Sequence, residues 1–335
     1  MKFSKVIERF LQLIPVLLGI SLIVFFMIEL TPGDPVEIML GDEISTPEQE
    51  ASLRHEMGLD QPVHIRYYRF ISNALVLEFG QSFYHRRPVI DLITERLPAT
   101  IELTIVAMFI AIFTAVPLGV IAAIKKNSFI DKIATVGALF GVSMPAFWFG
   151  LILIMFFSVQ FNLLPVSGRI TYDLEVPNKT HLLLIDTLIL FRLDSFFDAL
   201  KHLLMPALTL GLAMGAVLMR VTRTSMLEVM SQDYIVFAES KGLKRFRIIC
   251  WHALKNALIP TVTVAALETG SLLGGNMIVE TIFGWPGLGR LVVESIFDRN
   301  YPIIQTAVLL YATTYVLMNF IADVLYTYLN PKVSL

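Results

Sequence analysis

Charge is what this 335-residue chain has least of. Asp, Glu, Lys and Arg make up 16% of it, where an ordinary soluble domain carries about 25%, so a water-facing surface cannot be clothed around it. The net charge of −2 offers no basic excess for nucleic acid. Cysteine is almost missing: Cys250 alone excludes an intramolecular disulfide and a cysteine-built metal cluster, and it is read as a structural bystander. The six histidines are scattered, no H-E-x-x-H occurs, and no nucleophile stands with a base; His202 and His252 are assigned structural roles. A phosphate loop of the form G-x-x-x-x-G-K-[ST] is also absent. Gly284-Trp285-Pro286-Gly287-Leu288-Gly289 is rich in glycine but lacks the lysine, and it fits a turn opening a short helix over 291–297. These absences argue against an enzyme and against a chain that hydrolyses ATP itself.

What the chain has is long apolar runs. Apolar residues reach 56% and the mean hydropathy is +0.70. At 1.5 Å rise per residue, about 20 apolar residues cross the hydrocarbon layer. Six segments qualify or nearly so: 10–30, 101–124, 133–161, 203–219, 257–279 and 301–325, of which 203–219 is the shortest. Pro145 should kink the third or mark a re-entry. The run 10–28 follows Lys2, Lys5 and Arg9 as a signal peptide would. It is longer than the usual core of about 7–15 residues, however, and no A-x-A site follows it, so it is a retained first span.

Positive charge assigns the sides. With a cytoplasmic N-terminus, the inner segments 1–9, 125–132, 220–258 and 326–335 hold 14 Lys/Arg and 5 Asp/Glu in 66 residues. The outer segments 31–100, 161–202 and 280–302 hold 12 Lys/Arg and 19 Asp/Glu in 135. Basic density is thus more than twofold higher inside, and both termini are placed in the cytoplasm. The predicted fold is an all-α membrane protein with six transmembrane helices.

The connecting segments carry their own signals. Pro32-Gly33-Asp34-Pro35 is a turn ending the first span. Thr46-Pro47-Glu48-Gln49 combines an N-cap, a proline at the first helical position and a capping-box glutamine, with Gly58 as a stop. Segment 63–77 has helical apolar spacing, and 182–191, too short to span and containing Asp186, fits an interfacial or docked helix. The inner loop 220–258 is longer than a bundle connection requires. A helix is expected over 231–241 with Gly242 ending it, then the basic Lys244, Arg245 and Arg247, then helical spacing again through Ile248, Ile249 and Trp251. Long ordered loops bind something. Spacing alone leaves open a protein partner or a membrane-surface helix attracted to anionic lipid.

Charges within spans raise a functional question, since a carboxylate at mid-membrane costs about 2.5–3.5 kcal/mol. Glu268 lies mid-span, either as a pathway acid meeting a cationic group or as a packing residue hydrogen-bonded beside Thr269 and Ser271. Gly270, Ser271, Gly274 and Gly275 allow close helix approach, at a subunit interface or along a narrow translocation path. Glu29, Glu102 and Asp323 sit near helix ends, where snorkelling or loop contacts suffice.

Asp233-Tyr234-Ile235-Val236-Phe237-Ala238-Glu239-Ser240-Lys241-Gly242-Leu243, followed by His252-Ala253-Leu254-Lys255-Asn256-Ala257-Leu258-Ile259-Pro260, resembles the EAA loop of ABC-importer permeases. Val236 and Phe237 stand where that motif has its first Glu and Ala. Stretches along nearly the whole chain resemble the first permease type of the dipeptide, oligopeptide and nickel family: Thr31-Pro32-Gly33-Asp34-Pro35, Gly58-Leu59-Asp60-Gln61-Pro62, Leu97-Pro98-Ala99-Thr100-Ile101-Glu102-Leu103, Leu164-Pro165-Val166-Ser167-Gly168-Arg169, Arg223-Thr224-Ser225-Met226-Leu227-Glu228-Val229, and Glu280 through Gly289. Relatives commonly have glutamine near Glu268, and Arg-Asp-Tyr-Pro where this chain has Asp298-Arg299-Asn300-Tyr301-Pro302.

The resemblance implies the type I importer fold, in a bacterial inner membrane. Its parts would be an N-terminal helix (1–30), a folded extracytoplasmic loop (31–97), a five-helix transmembrane domain (98–326, with its coupling loop at 231–260) and a cytoplasmic tail (327–335). It implies a homologous second permease, two ABC ATPases that bind the ATP and Mg, and an extracytoplasmic solute-binding protein, with membrane lipid around. Ala238, Glu239, Gly242, Leu243, Lys244 and Arg245 would couple to an ATPase; Glu268, Gly270 and Ser271 are candidates for the translocation path. Dipeptides are the first expectation for the substrate, with glutathione or nickel as alternatives. An ion-coupled secondary transporter working through Glu268 and Asp323, and a membrane scaffold, are the rival classes.

Overall fold

Hydrocarbon offers no partner for a backbone N–H or C=O, so a chain crossing it must satisfy both within each segment. The computed structural model describes residues 3–30, 36, 46–56 and 58–329. Among them the chain is helical, without a strand, and one isolated antiparallel bridge pairs Gln81 with Pro88. In order the helices are α1 (Phe3–Glu29), α2 (Pro47–Glu56), α3 (Val63–Leu75), α4 (Val89–Ile124), α5 (Phe129–Ser143), α6 (Ala146–Gln160), α7 (Leu183–Ile189), α8 (Leu193–Met230), α9 (Asp233–Ser240), α10 (Arg245–Leu273), α11 (Met277–Ile282), α12 (Leu288–Phe297) and α13 (Tyr301–Leu329). Five are long and apolar enough to cross a membrane: α1, α4, α8, α10 and α13. The pair α5 and α6 passes the same test together but is bent by 104°. The bend falls where Pro145 was expected to interrupt the run. Met144, before the proline, takes an extended backbone, because the proline ring disfavours the helical conformation there.

Two spans differ from expectation. Segment 203–219, the shortest of the six apolar runs, belongs to the 38-residue α8, the longest helix described. Of its most apolar stretch 72% is buried, against 33% or less in the other long helices. A helix wrapped by its own chain needs close contact more than oiliness. Glycines therefore sit where α4 meets it: a Cβ on Gly211 would lie 2.6 Å from the Ala107 carbonyl, and one on Gly119 2.8 Å from the Met219 carbonyl. Its hydroxyls bond back to the helix, Thr209 to the Met205 carbonyl at 2.9 Å and Thr222 to that of Leu218 at 2.7 Å. The fifth span does not reach 279. It stops at Leu273, Gly275 takes φ +84°, and α11 starts anew.

The amino-terminal segment folds onto α1. Thr46 and Gln49 form the expected reciprocal cap, with Gln49 N–H to Thr46 Oγ1 at 3.3 Å and Thr46 N–H to Gln49 Oε1 at 2.9 Å. Gly58 takes φ +66° after α2. Tyr67 and Phe70 of α3 pack on Phe25, and Arg66 meets Glu29 at 2.7 Å. The turn expected at 32–35 lies outside the described residues, as does most of the tail 327–335.

The bundle has two ends. Helix α10 runs from Arg245 to Leu273, and α13 packs antiparallel to it, since Met318 faces Gly270 while Tyr311 faces Gly275. The last turns of α13 thus share the end of the bundle with 231–247. Helix α1 joins there through Arg9, 3.3 Å from Asp323, and through Phe10 stacked edge-on against Phe320. The opposite end gathers α3, the start of α4, the loops 163–182 and helices α7, α11 and α12.

Candidate functional site

Helix α9 leaves α8 through Ser231 and Gln232 and lies across the bundle end. Two residues one turn apart turn inward: Ile235 and Ala238 pack with Ala123, Met226, Ile248, Ala253 and Ala257. The small side chain at 238 therefore serves close approach to the rest of this chain. Glu239, Ser240, Lys241, Gly242, Lys244 and Arg245 are exposed, and Leu243 is half-buried. Gly242 ends the helix at φ +72° with open space around its α-carbon, a conformation glycine adopts without strain. Large apolar groups share the exposed face: Phe237 is 61% exposed, Phe246 75% and Trp251 73%. Lys241 Nζ rests 4.4 Å from the Phe237 ring centre. Tyr234 and Asn256 tie α9 to α10, Asn256 Nδ2 donating to the Tyr234 hydroxyl at 2.8 Å. A rigid platform thus presents aromatic and cationic groups to the outside of the chain.

At the other end, motifs far apart in sequence close on one another. Thr100 Oγ1 donates to Glu280 Oε1 at 2.8 Å and accepts from the Leu288 backbone N–H at 2.8 Å. The Arg290 N–H donates to Glu280 Oε2 at 3.0 Å, and Trp285 Nε1–H to the Ala99 carbonyl at 2.8 Å. Glu280 and Trp285 are fully or almost fully buried. Gly287 and Gly289 wrap the carboxylate so closely that a Cβ on Gly287 would sit 2.5 Å from its oxygens. That is the physical reason for the glycines. Beside it Glu102 takes Arg169 Nη2 at 2.7 Å and the Leu184 N–H at 2.7 Å, and the Arg169 guanidinium lies 5.8 Å from the Trp285 ring centre. Asp186 caps the same region. Burial alone would raise its carboxyl, but hydrogen bonds from the Thr180 hydroxyl and the backbone N–H groups of Thr180, Lys179 and His181 outweigh this and hold it below the usual carboxylate range.

Between the two ends a crevice of about 540 Å³ opens among α4, α5, α6 and α8. Its walls are apolar, with Leu118, Phe140, Phe149 and Leu212 among them and the hydroxyls of Thr114 and Thr209 as the polar exceptions. Among the described residues no three His, Cys, Asp or Glu side chains gather as a metal ion would need.

Residues 115–335 match the family model described as binding-protein-dependent transport system inner membrane component, and residues 1–104 match the model of that component's N-terminal region. The chain belongs to this family. The di/tripeptide transport system permease protein DppB of Pseudomonas aeruginosa is 43% identical over 330 residues, 98% of each chain. The dipeptide transport system permease protein DppB of Escherichia coli is 43% identical over 331 residues, again 98% of each. The glutathione transport system permease protein GsiC of Escherichia coli is 39% identical over 330 residues, 98% of each. The chain is therefore a multi-pass inner-membrane permease subunit of an ABC importer.

Within this permease, Glu268 and Ser271 lie three residues apart on one side of α10, half-buried and exposed respectively. Gly270 is turned away and packs on Met318 of α13, where a Cβ would approach to 2.8 Å. Thr269 bonds the Ala265 carbonyl, so it does not hold Glu268. None of Glu268, Gly270 and Ser271 lines the crevice. Glu29, Glu102 and Asp323 each meet an arginine: Arg66, Arg169 and Arg9. His202 Nδ1 is 3.1 Å from the Ser167 carbonyl. Reading the sequence alone overlooked Thr100, Glu280 and Asp131. The first two sit in motifs whose resemblance was noted without a physical reason. Asp131 had only the N-cap serine before it as a signal: Ser128 Oγ accepts from the Asp131 N–H.

Proposed function

We propose that this permease imports dipeptides or short peptides, coupled to ATP hydrolysed by two ABC ATPases that bind on the cytoplasmic side at α9 and the basic turn after it. The single observation that carries the coupling assignment is the outward face of 234–251: an ordered platform set by its own inward Ile235 and Ala238, yet exposing Phe237, Phe246 and Trp251 beside Lys244, Arg245 and Arg247. Apolar surface of that kind in a basic frame marks a partner site. Exposed cations fit acidic rim residues of an ATPase and fix register. Glu239, Gly242 and Leu243 belong to the same surface, whereas Ala238 acts by seating the helix.

In this reading six spans cross the membrane, with α5 and α6 together forming one broken span, because α5 starts beside the coupling end and α6 leads to Gly168, whose N–H bonds the Phe283 carbonyl at the opposite end. Both termini are then cytoplasmic, in line with the basic excess of the inner segments. A homologous second permease completes the pore. A solute-binding protein delivers substrate to the end where α7, α11 and α12 lie. ATP and Mg stay on the ATPases, and this chain carries no catalysis. Glu268 and Ser271 face a side of α10 left open by this chain, where a second permease or a passing peptide amino terminus would meet them.

The peptide substrate rests on the 43% identical relatives named for dipeptide and di/tripeptide transport. Reconstitution with the ATPases and the binding protein tests both halves. Phe237→Asp should leave the permease folded and inserted but abolish ATPase copurification and uptake; normal copurification would remove the coupling assignment. In the unsubstituted transporter, labelled dipeptide should be taken up in an ATP-dependent way. Preferential uptake of glutathione would instead favour the substrate of the 39% identical relative. Uptake by this chain alone, driven by an ion gradient, would select the secondary-transporter class. Glu268→Gln should alter uptake of free-amine peptides more than assembly.

A further inference from the structure

Helix α8 reaches the coupling end at Met230, and α9 follows after two residues. Arg223, seven residues before that end, meets Asp131 of α5 in a two-pronged pair: Nε to Oδ1 at 2.6 Å and Nη2 to Oδ2 at 2.9 Å. Such forked pairs fix geometry as well as charge. The Asp131 side chain is 5% exposed and that of Arg223 24%. Asp131 also takes the Asn127 N–H at 2.9 Å, holding the turn that joins α4 to α5.

The setting gives this pair a consequence. Helices α4 and α8 are locked through glycine contacts, as described above for Gly119 and Gly211. Helix α5 makes one such contact with α8, near its far end, where a Cβ on Gly141 would lie 2.8 Å from Ala216 Cβ. Most of its apolar residues face outward, with Val136 55% and Phe140 70% exposed, and the crevice separates much of its length from α8. Around Gly137 there is open space. Toward the coupling end, Ala134 packs on the core beside α8, and the forked pair is the polar link that fastens the first turn of α5 to α8. At its other end α5 meets the 104° break, so no continuous helix joins it to α6.

We propose that the Asp131–Arg223 pair is the tie through which movement of α9 and the end of α8 is passed to α5, setting the width of the crevice among α4, α5 and α8. This deepens the coupling reading and rests on it. A push on α9 displaces the end of α8 through the buried Ile235, Ala238 and Met226 contacts, and the arginine draws the first turn of α5 along. With the tie cut, the ATPases still seat on α9, because no group of the exposed platform is touched, but their work no longer moves α5.

The test uses the whole transporter in proteoliposomes, with permease pair, ATPases and binding protein. Asp131→Asn should retain ATPase copurification and ATP hydrolysis while uptake per ATP falls at least tenfold. Arg223→Lys, which keeps the charge and loses the fork, should fall between that variant and the wild type. In a Cys250→Ala background, spin labels at Val136 and Phe113 should report an ATP-dependent change of distance between α5 and α4, and Asp131→Asn should abolish it. Unchanged uptake per ATP in Asp131→Asn, or a distance change that persists in it, overturns the proposal. Should Asp131→Asn fail to assemble, the labels in the unsubstituted chain decide: no ATP-dependent change in distance refutes the tie. Phe237→Asp separates the two readings. If it uncouples while Asp131→Asn does not, the tie alone falls; if ATPases bind normally to Phe237→Asp, the coupling reading itself falls.

Discussion

The two ends of this permease are built on opposite principles. Around Glu280 and Glu102 the chain buries carboxylates and answers each with its own donors: Thr100, the Arg290 N–H, Arg169 and the Leu184 N–H. Around α9 it does the reverse, keeping aromatics and cations exposed on a platform whose inner face alone is packed. A buried polar group left unpaired is costly, so around these two carboxylates the first end is closed within one chain. The second end has no such closure within this chain, which is why it is the one proposed to receive a partner.

Substitutions can break or sharpen this contrast. The largest effect is expected at the buried end. Arg169→Ala leaves Glu102 as an uncompensated buried charge and should cost about 3–5 kcal/mol of stability, read as a fall in the melting temperature of the detergent-solubilised permease. Glu280→Gln keeps the shape but turns an amide toward one of two buried donors. It should cost about 1–3 kcal/mol by the same measurement. If either variant is as stable as the wild type, the internal closure around that carboxylate is refuted.

A smaller effect belongs to Asp186. Its carboxyl is held below the usual range, so its ionised form stabilises the 179–182 loop at neutral pH, and that contribution is lost as the pH falls through the lowered value. Amide exchange in the loop should quicken under acid, and Asp186→Asn should remove this pH dependence. The smallest effect on stability is expected at the platform. Replacing Lys244, Arg245 and Arg247 together by alanine should stay within about 0.5 kcal/mol yet weaken ATPase retention, most visibly at raised salt, where the remaining contacts are screened. A large loss of stability there would erase the distinction between the ends.

Much of the fold was legible because it depends on local features. The capping box at Thr46, the stop at Gly242 and the interruption at Pro145 are matters of backbone chemistry within a few residues, and each is found. Helix α8 was drawn too short because Lys201 and Arg220 bound its apolar run, whereas the helix continues past both, from Leu193 to Met230. The fifth span was drawn too long because Gly274 and Gly275 were taken as packing residues, when Gly275 turns the chain. At the coupling loop the outline was legible, but the inward turn of Ala238 was not, since which side of a short helix is buried depends on Met226 and Ala257 far along the chain.

The sequence by itself determined that the chain lives in a membrane, how many apolar stretches it has to place there, and which segments end helices, because hydrophobic length and turn chemistry act locally. Only the tertiary structure decided that Thr100 and Glu102 close on Glu280 and Arg169, that Arg223 grips Asp131, and that Gly270 turns toward α13 and away from Glu268. Those outcomes depend on the distances between helices. Such distances are set when small residues let two backbones approach, and that pairing is written in neither partner's sequence alone.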